Sequence, residues 1–298
     1  MNWFLLALLY PAIFTVVNFI DKYVIEKKIK DYRGFPIYGS IIGMVVGTLF
    51  WIFSKFPVLG PRDAFLVIAS GIVSCFASYF YYRTLSKNQT SIVIILFQMQ
   101  PVIILILSYI LLGASITLQQ ILGFILILSA SITLFLKGRW ERYKLSSAFY
   151  FILLADLLYS IAAILIKFTI NANSFTKLII YESWGIAIGG LLLYSFYINV
   201  RKAFNESFRM VGTRILGIVF LNEVIFVFAK AIQVLAITIG PVALVSILGS
   251  TQSFYGILYG ILLTFFAPQI FKEDLRKESI IKKILISLIM LSGVYLIS

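Results

Sequence analysis

The chain has 298 residues, 61% of them hydrophobic and 12% charged, with a mean hydropathy of +1.02. That leaves too little polar surface to cover a water-soluble globule of this size, so a soluble enzyme or binding module is excluded and the relevant solvent is lipid. The formal net charge of +13 invites a nucleic-acid reading, but the Lys and Arg residues sit between apolar stretches and no basic face with interleaved aromatics lies outside them, so no nucleic acid partner is expected.

In hydrocarbon every backbone N–H and C=O must be bonded within the protein, which permits a helical bundle or a closed barrel. Residues 91–112 and 116–136 are continuously apolar instead of alternating as barrel strands do, so helices are expected. Ten spans are placed near 2–20, 36–54, 63–82, 91–112, 116–136, 147–168, 177–198, 211–232, 240–265 and 281–297. The first is not preceded by Lys or Arg and lacks a small-residue cleavage site, so it reads as a retained helix. Cys75 is the only cysteine, which excludes an intramolecular disulfide.

Taken in order, the first span holds Leu8, Leu9 and Tyr10 and ends near Asn18. The second carries Gly39, Gly43 and Gly47 at four-residue spacing, a small-residue ridge of the kind that lets helix backbones approach closely in lipid. The third ends in Tyr79, Tyr81 and Tyr82 before Arg83, an expected interfacial aromatic belt. In the fourth, Gln98 and Gln100 precede Pro101, whose missing N–H should loosen the helix and expose carbonyls. The sixth span places Asp156 near mid-depth and Lys167 eleven residues later, close to three turns, on one face with Ser160 and Ala163 between them. The seventh carries Glu182, Trp184, Gly185 and Gly189. The eighth carries Asn222, Glu223 and, two turns on, Lys230. The ninth holds Ser250, Thr251 and Gln252 at mid-depth.

Of the 25 Lys and Arg residues, counting those near the end of a span with the adjoining link, the odd-numbered links hold 20 and the even-numbered links 5. This bias is the positive-inside signature, and it puts the odd links in the cytoplasm and both termini outside. The sequons at Asn88 and Asn205 fall in odd links and are then expected to carry no glycan.

The two halves echo each other. Leu157, Leu158 and Tyr159 in the sixth span repeat the triplet of the first, and equal counting aligns Asn18 with Lys167. The glycines of the second span answer those of the seventh, and the fourth and ninth each place a Gln in mid-span. Five helices is an odd number, so the second unit must enter the membrane in the opposite sense to the first, an arrangement that places a substrate site at the repeat interface near the midplane. The expected fold class is therefore all-α: a polytopic membrane protein of ten transmembrane helices in two inverted five-helix repeats, residues 1–140 and 141–298.

The triplet leading to Asn18 or Lys167, with TSIVIILFQMQPVIILILSYILLG followed by ITLQQILGFILILSASITL, resembles the EamA-type transporters of the drug/metabolite transporter superfamily. The resemblance implies a ten-helix bundle with a central cavity that exports or exchanges small metabolites, and it allows a flippase of a lipid-linked sugar as the alternative. Two departures stand out. Members often carry an acid after the Gly that ends the fourth helix, whereas Gly113 is followed by Ala114. Many also keep both termini in the cytoplasm, against the charge count.

Charges inside a span are costly and usually face a cavity or a partner. Asp156 and Glu223 are the candidates for coupling transport to a proton or sodium ion. Lys167 and Lys230 would hold an anionic group of the substrate or pair with Glu182 to fix helix packing. Gln98, Gln100 and Gln252 suit a zwitterion, sugar or nucleoside, or bridge helices; Asn18, Asn222 and Trp184 are further possible contacts. No His, no thiolate cluster, no intramembrane aspartyl-protease element and no phosphate loop occur, so neither enzyme activity, metal nor cofactor is expected. The expectation is a multi-pass protein of the cell membrane, a secondary transporter for which a monomer suffices and a dimer is possible.

Overall fold

A computed structural model describes the chain except residues 1, 30, 113–116, 138–143, 146, 170–173, 240–244, 246–247, 272 and 298. Ala114 and the first residues of the ninth span thus lie outside the described residues. The helices are α1 (Trp3–Val24), α2 (Phe35–Phe53), α3 (Pro61–Lys87), α4 (Thr90–Leu96), α5 (Gln100–Leu112), α6 (Leu118–Phe135), α7 (Ser147–Lys167), α8 (Phe175–Phe196), α9 (Ile198–Met210), α10 (Thr213–Ile239), α11 (Gln252–Phe266) and α12 (Lys277–Ile297). A two-residue antiparallel pairing, Leu136–Lys137 with Lys144–Leu145, is the one departure from helix and turn among the described residues.

Among the described residues, eight apolar helical segments are long enough to cross a membrane, α4 and α5 together forming one of them. The fifth and ninth expected spans appear as shorter apolar helices, Leu118–Ala130 and Gln252–Phe266. The fourth span is broken as Pro101 requires. A proline there cannot donate to the carbonyl four residues earlier, that of Phe97, so Phe97–Met99 tighten into a 3₁₀ turn and Phe97 O accepts from Gln100 N–H instead.

The chain forms two compact units, and each draws on both halves of the sequence. One comprises Met1–Tyr23, Lys87–Leu153 and Ile225–Ser298; the other comprises Val24–Ser86 and Leu154–Val224. In the first unit α6 packs on α12 and α4 on α11. Gly293 of α12 lies against Gly123 O and Ile127 of α6, and Gly256 of α11 against Ile94 of α4. In the second unit α2 packs on α8.

The α2–α8 contact uses the small residues read from the sequence. Gly47 meets Ser183, and Gly190 meets Ser40. Gly185 and Gly189 turn to α3, where a methyl group on Gly185 would strike Ile68 O and one on Gly71 would strike Glu182 O, so the two backbones touch only because both residues lack a side chain. Gly43 is the exception to the expected ridge: nothing lies within 4 Å of where its Cβ would be.

Contacts also join the helix ends. In the first unit Lys22 Nζ donates to Asn88 O at 2.9 Å, joining the first link to the third, and Lys283 Nζ, near the start of α12, donates to Gln89 Oε1 at 2.6 Å in the third link. In the second unit Gly34 abuts the Ala203 and Phe204 backbone, joining the first link to the seventh. Leu59 N–H donates to Tyr181 Oη at 3.3 Å, which brings the second link to the start of α8.

The seventh link is itself a helix, α9, which the sequence reading left as a connection. Val200, Ala203 and Ser207 recur at helical spacing and are buried, while Lys202, Asn205, Glu206 and Arg209 are exposed, so the segment is an amphipathic helix too short and too polar to register as a span.

Candidate functional site

The polar residues singled out from the sequence divide between the two units: Asp156, Lys167, Glu182, Trp184, Asn222 and Glu223 in one, Asn18, Gln98, Gln100, Lys230 and Gln252 in the other. In the second unit, Asp156 sits midway along α7 and is wholly buried. Among the described residues neither of its carboxylate oxygens has a hydrogen-bond partner; its main-chain carbonyl accepts from Ser160 Oγ at 2.7 Å. An unpartnered carboxylate in an apolar surrounding is expensive, and the cost is tolerated in proteins chiefly where the group has work to do. Ser70 of α3, also fully buried, has a hydroxyl oxygen without a partner among the described residues; the sequence reading missed it, because a serine in an apolar helix carries no signal of its own.

Glu223 of α10 points its Oε1 at Gly39 of α2, where a Cβ would stand 3.0 Å away, so the missing side chain of Gly39 makes room for a carboxylate. Asn222 and Glu182 are buried. Lys167 ends α7 exposed, at the level where a lysine snorkels to the interface. Trp184 belongs to an aromatic cluster at the even-link end. Its Nε1 donates to Thr48 Oγ1 at 3.3 Å, and its ring lies 5.7 Å from Trp51 and 5.0 Å from Tyr181. Lys55 and Phe56, at φ 60° and 59°, end α2 in a left-handed turn that sets the Phe56 ring edge to face with Trp51, their centroids 4.7 Å apart.

In the first unit, Gln252 Nε2 donates to Asn18 Oδ1 at 3.1 Å, which brings two of the expected contacts together. Asn18 lies on one face of α1 with Phe14 and Tyr10, four residues apart each. Tyr10 Oη donates to Val245 O at 3.2 Å and packs against Gly249. Phe14 lies 5.5 Å from Phe226. Tyr10 was visible in the sequence only as part of a repeated triplet; the four-residue spacing to Asn18 is the signal that marks it. Gln98 is buried in the 3₁₀ turn and Gln100 half-buried where α5 begins. Lys230 is half-buried on α10 in this unit.

A second acid was passed over because it falls in a link. Glu273 accepts from Ser91 N at 3.1 Å, from Ser91 Oγ at 2.5 Å and from Lys283 Nζ at 2.8 Å, and its own N–H donates to Thr264 Oγ1 at 3.1 Å. The Glu273 and Lys283 side chains are 5% and 6% exposed, so this is a buried ion pair with every partner supplied. Next to it, the exposed Arg276 guanidinium beside Asp274 holds that carboxyl well below the usual carboxylate range. At the first link, burial pushes the Asp31 carboxyl up, and the Arg33 side chain and backbone N–H on it bring it below its ordinary value.

Several helices long and apolar enough to cross a membrane, with buried acids within them, define a multi-pass membrane protein. Residues 1–136, a little under half of the chain, match the model of the EamA-like transporter family. Among solved structures, the crystal structure of another protein aligns over 98% of this chain and 94% of its own, with a TM-score of 0.59 at 13% identity. Identity that low is evidence of fold alone. No curated protein matches the chain.

Proposed function

We propose that the chain is a secondary transporter that moves a small polar or zwitterionic metabolite, by export or exchange, with Asp156 and Glu223 coupling the movement to a proton or sodium ion. The observation that carries the coupling is Asp156: a carboxylate fully buried in a span with no hydrogen-bond partner among the described residues. Such a group has no structural partner to lose, and it gains one whenever a proton or cation reaches it. Neutral donors and acceptors for a zwitterion come from the Asn18–Gln252 pair, Gln98 and Gln100, with Asn222, Glu182, Trp184, Lys167 and Lys230 as further contacts.

Ten spans in two inverted repeats, 1–140 and 141–298, remain our reading of the architecture, and the pairing of helices supports it. Counted in ten spans, the partners are second with seventh, fourth with ninth and fifth with tenth, each helix lying against its own counterpart in the other half. The Ser40–Gly190 and Gly47–Ser183 contacts are reciprocal, as an isologous interface requires. Odd links meeting odd links, and the second link meeting the start of the seventh span, support the crossing order, and the charge bias supports an odd-link cytoplasmic face.

The test is transport in proteoliposomes over a panel of amino acids, sugars, nucleosides and lipid-linked sugars, with imposed proton and sodium gradients. Accumulation of a soluble solute that collapses in Asp156→Asn and in Glu223→Gln is the expected result. If the folded, oriented protein moves no soluble solute, the metabolite reading fails, and if it moves only a lipid-linked sugar the flippase takes its place. Gradient-driven transport unchanged in both variants would remove the two acids from the mechanism.

A further inference from the structure

Independently of what is transported, the second unit carries a groove of about 370 Å³ between α2, α9 and α10 that the mechanism does not use. Tyr38, Ile41 and Ile42 form one wall, Phe208 the roof, and Gly217 and Phe220 the other wall. The Tyr38 hydroxyl is engaged with Ser207 Oγ at 2.9 Å and its ring packs 4.9 Å from Phe204, so the one polar group at the groove is already satisfied and the surface offered is apolar. Nothing lies within 4 Å of where a Cβ on Gly217 would be, so the chain does not fill the space itself.

Charge complementarity selects the occupant. Helix α9 carries Arg201, Lys202 and Arg209 against the single acid Glu206, and Arg214 opens α10 one turn before Gly217. Arg209 follows Phe208 of the roof. Arg209 and Arg214 are both exposed, and among the described residues neither has a hydrogen bond or an ion pair. An amphipathic basic helix beside the first turn of a transmembrane helix lies at headgroup depth, and below it an apolar slot opens toward the acyl layer. The link is odd-numbered, so the charge count puts it at the cytoplasmic leaflet, where anionic lipids concentrate.

We propose that this groove binds one anionic phospholipid, an acyl chain lying along Tyr38, Ile41, Gly217 and Phe220 and the phosphate held by Arg209 and Arg214. The test uses the full chain in nanodiscs and a phosphatidylglycerol with a diazirine on its acyl chain, with the phosphatidylcholine analogue as control. Cross-links are expected at residues 38–42 and 216–220, with phosphatidylglycerol favoured by about thirtyfold, the joint effect of two interfacial arginines. Gly217→Phe should remove the cross-link at this site, and Arg209→Gln with Arg214→Gln should bring the two lipids to parity while leaving the apolar contact. Cross-links scattered around the belt, or equal labelling by both lipids in the unmodified protein, overturn the proposal. That arm needs no variant, so a Gly217→Phe protein that fails to fold leaves the outcome decided.

Discussion

The two units handle buried charge in opposite ways. In the first, Glu273 and Lys283 are buried together with Ser91, Gln89 and Thr264 around them, and Lys22 is tied to the Asn88 carbonyl. In the second, Asp156 is as deeply buried and holds no hydrogen bond through its carboxylate among the described residues, while α2, α3 and α8 of that unit meet at glycines and serines. A satisfied charge at a helix end fixes geometry. A carboxyl without a partner in mid-span fixes nothing, which is what recommends it for the coupling role proposed above.

The largest effect should come from Asp156→Asn. Gradient-driven uptake in proteoliposomes is expected to fall to the level of empty liposomes while stability in detergent holds or rises, because an amide is cheaper to bury without a partner than a carboxylate. A loss of stability instead would show that Asp156 has a structural partner and erase the contrast. Glu273→Gln should do the reverse: stability in a denaturant titration is expected to drop by about 3–5 kcal/mol, since Lys283 is left buried without its countercharge, and Glu273→Met with Lys283→Met should recover most of it. Gly185→Leu should cost about 1–3 kcal/mol by forcing α3 and α8 apart, read as a lowered melting temperature. Gly43→Ala, at the glycine with no neighbour, should add about 0.5–1 kcal/mol by its helix preference alone, and a destabilisation there would reveal a packing partner.

Much of this was legible in the order of residues because lipid enforces simple rules. A run such as 91–112 must be helical in hydrocarbon, and Pro101 within it must break one hydrogen bond, as the turn at Phe97–Met99 does. The glycines of the second and seventh spans announced close approach, yet a ridge cannot say which neighbour it meets: Gly47 and Gly190 join α2 to α8, Gly185 goes to Gly71 of α3, and Gly43 meets nothing. Helix α9 stayed hidden because hydropathy windows average over its two faces. Glu273 stayed hidden because residues in links read as solvated until the fold closes over them, and without it Lys283 near the start of α12 has no visible partner. Of the site, Asn18 and Gln252 were each legible as polar positions, but their hydrogen bond depends on a tertiary contact between residues 234 apart, which spacing cannot reveal.

The reciprocal seam between α2 and α8 has a consequence for inheritance. Serine followed seven residues later by glycine occurs at Ser40 and Gly47 and again at Ser183 and Gly190, and each serine fills the notch of the opposite glycine. A surface that is its own complement needs no second gene to supply a partner: under the proposed duplication, one half-length ancestor inserted both ways up would already have matched itself. In a fused pair of such copies the two serine–glycine notches mutate separately, so one can drift while the other holds the seam.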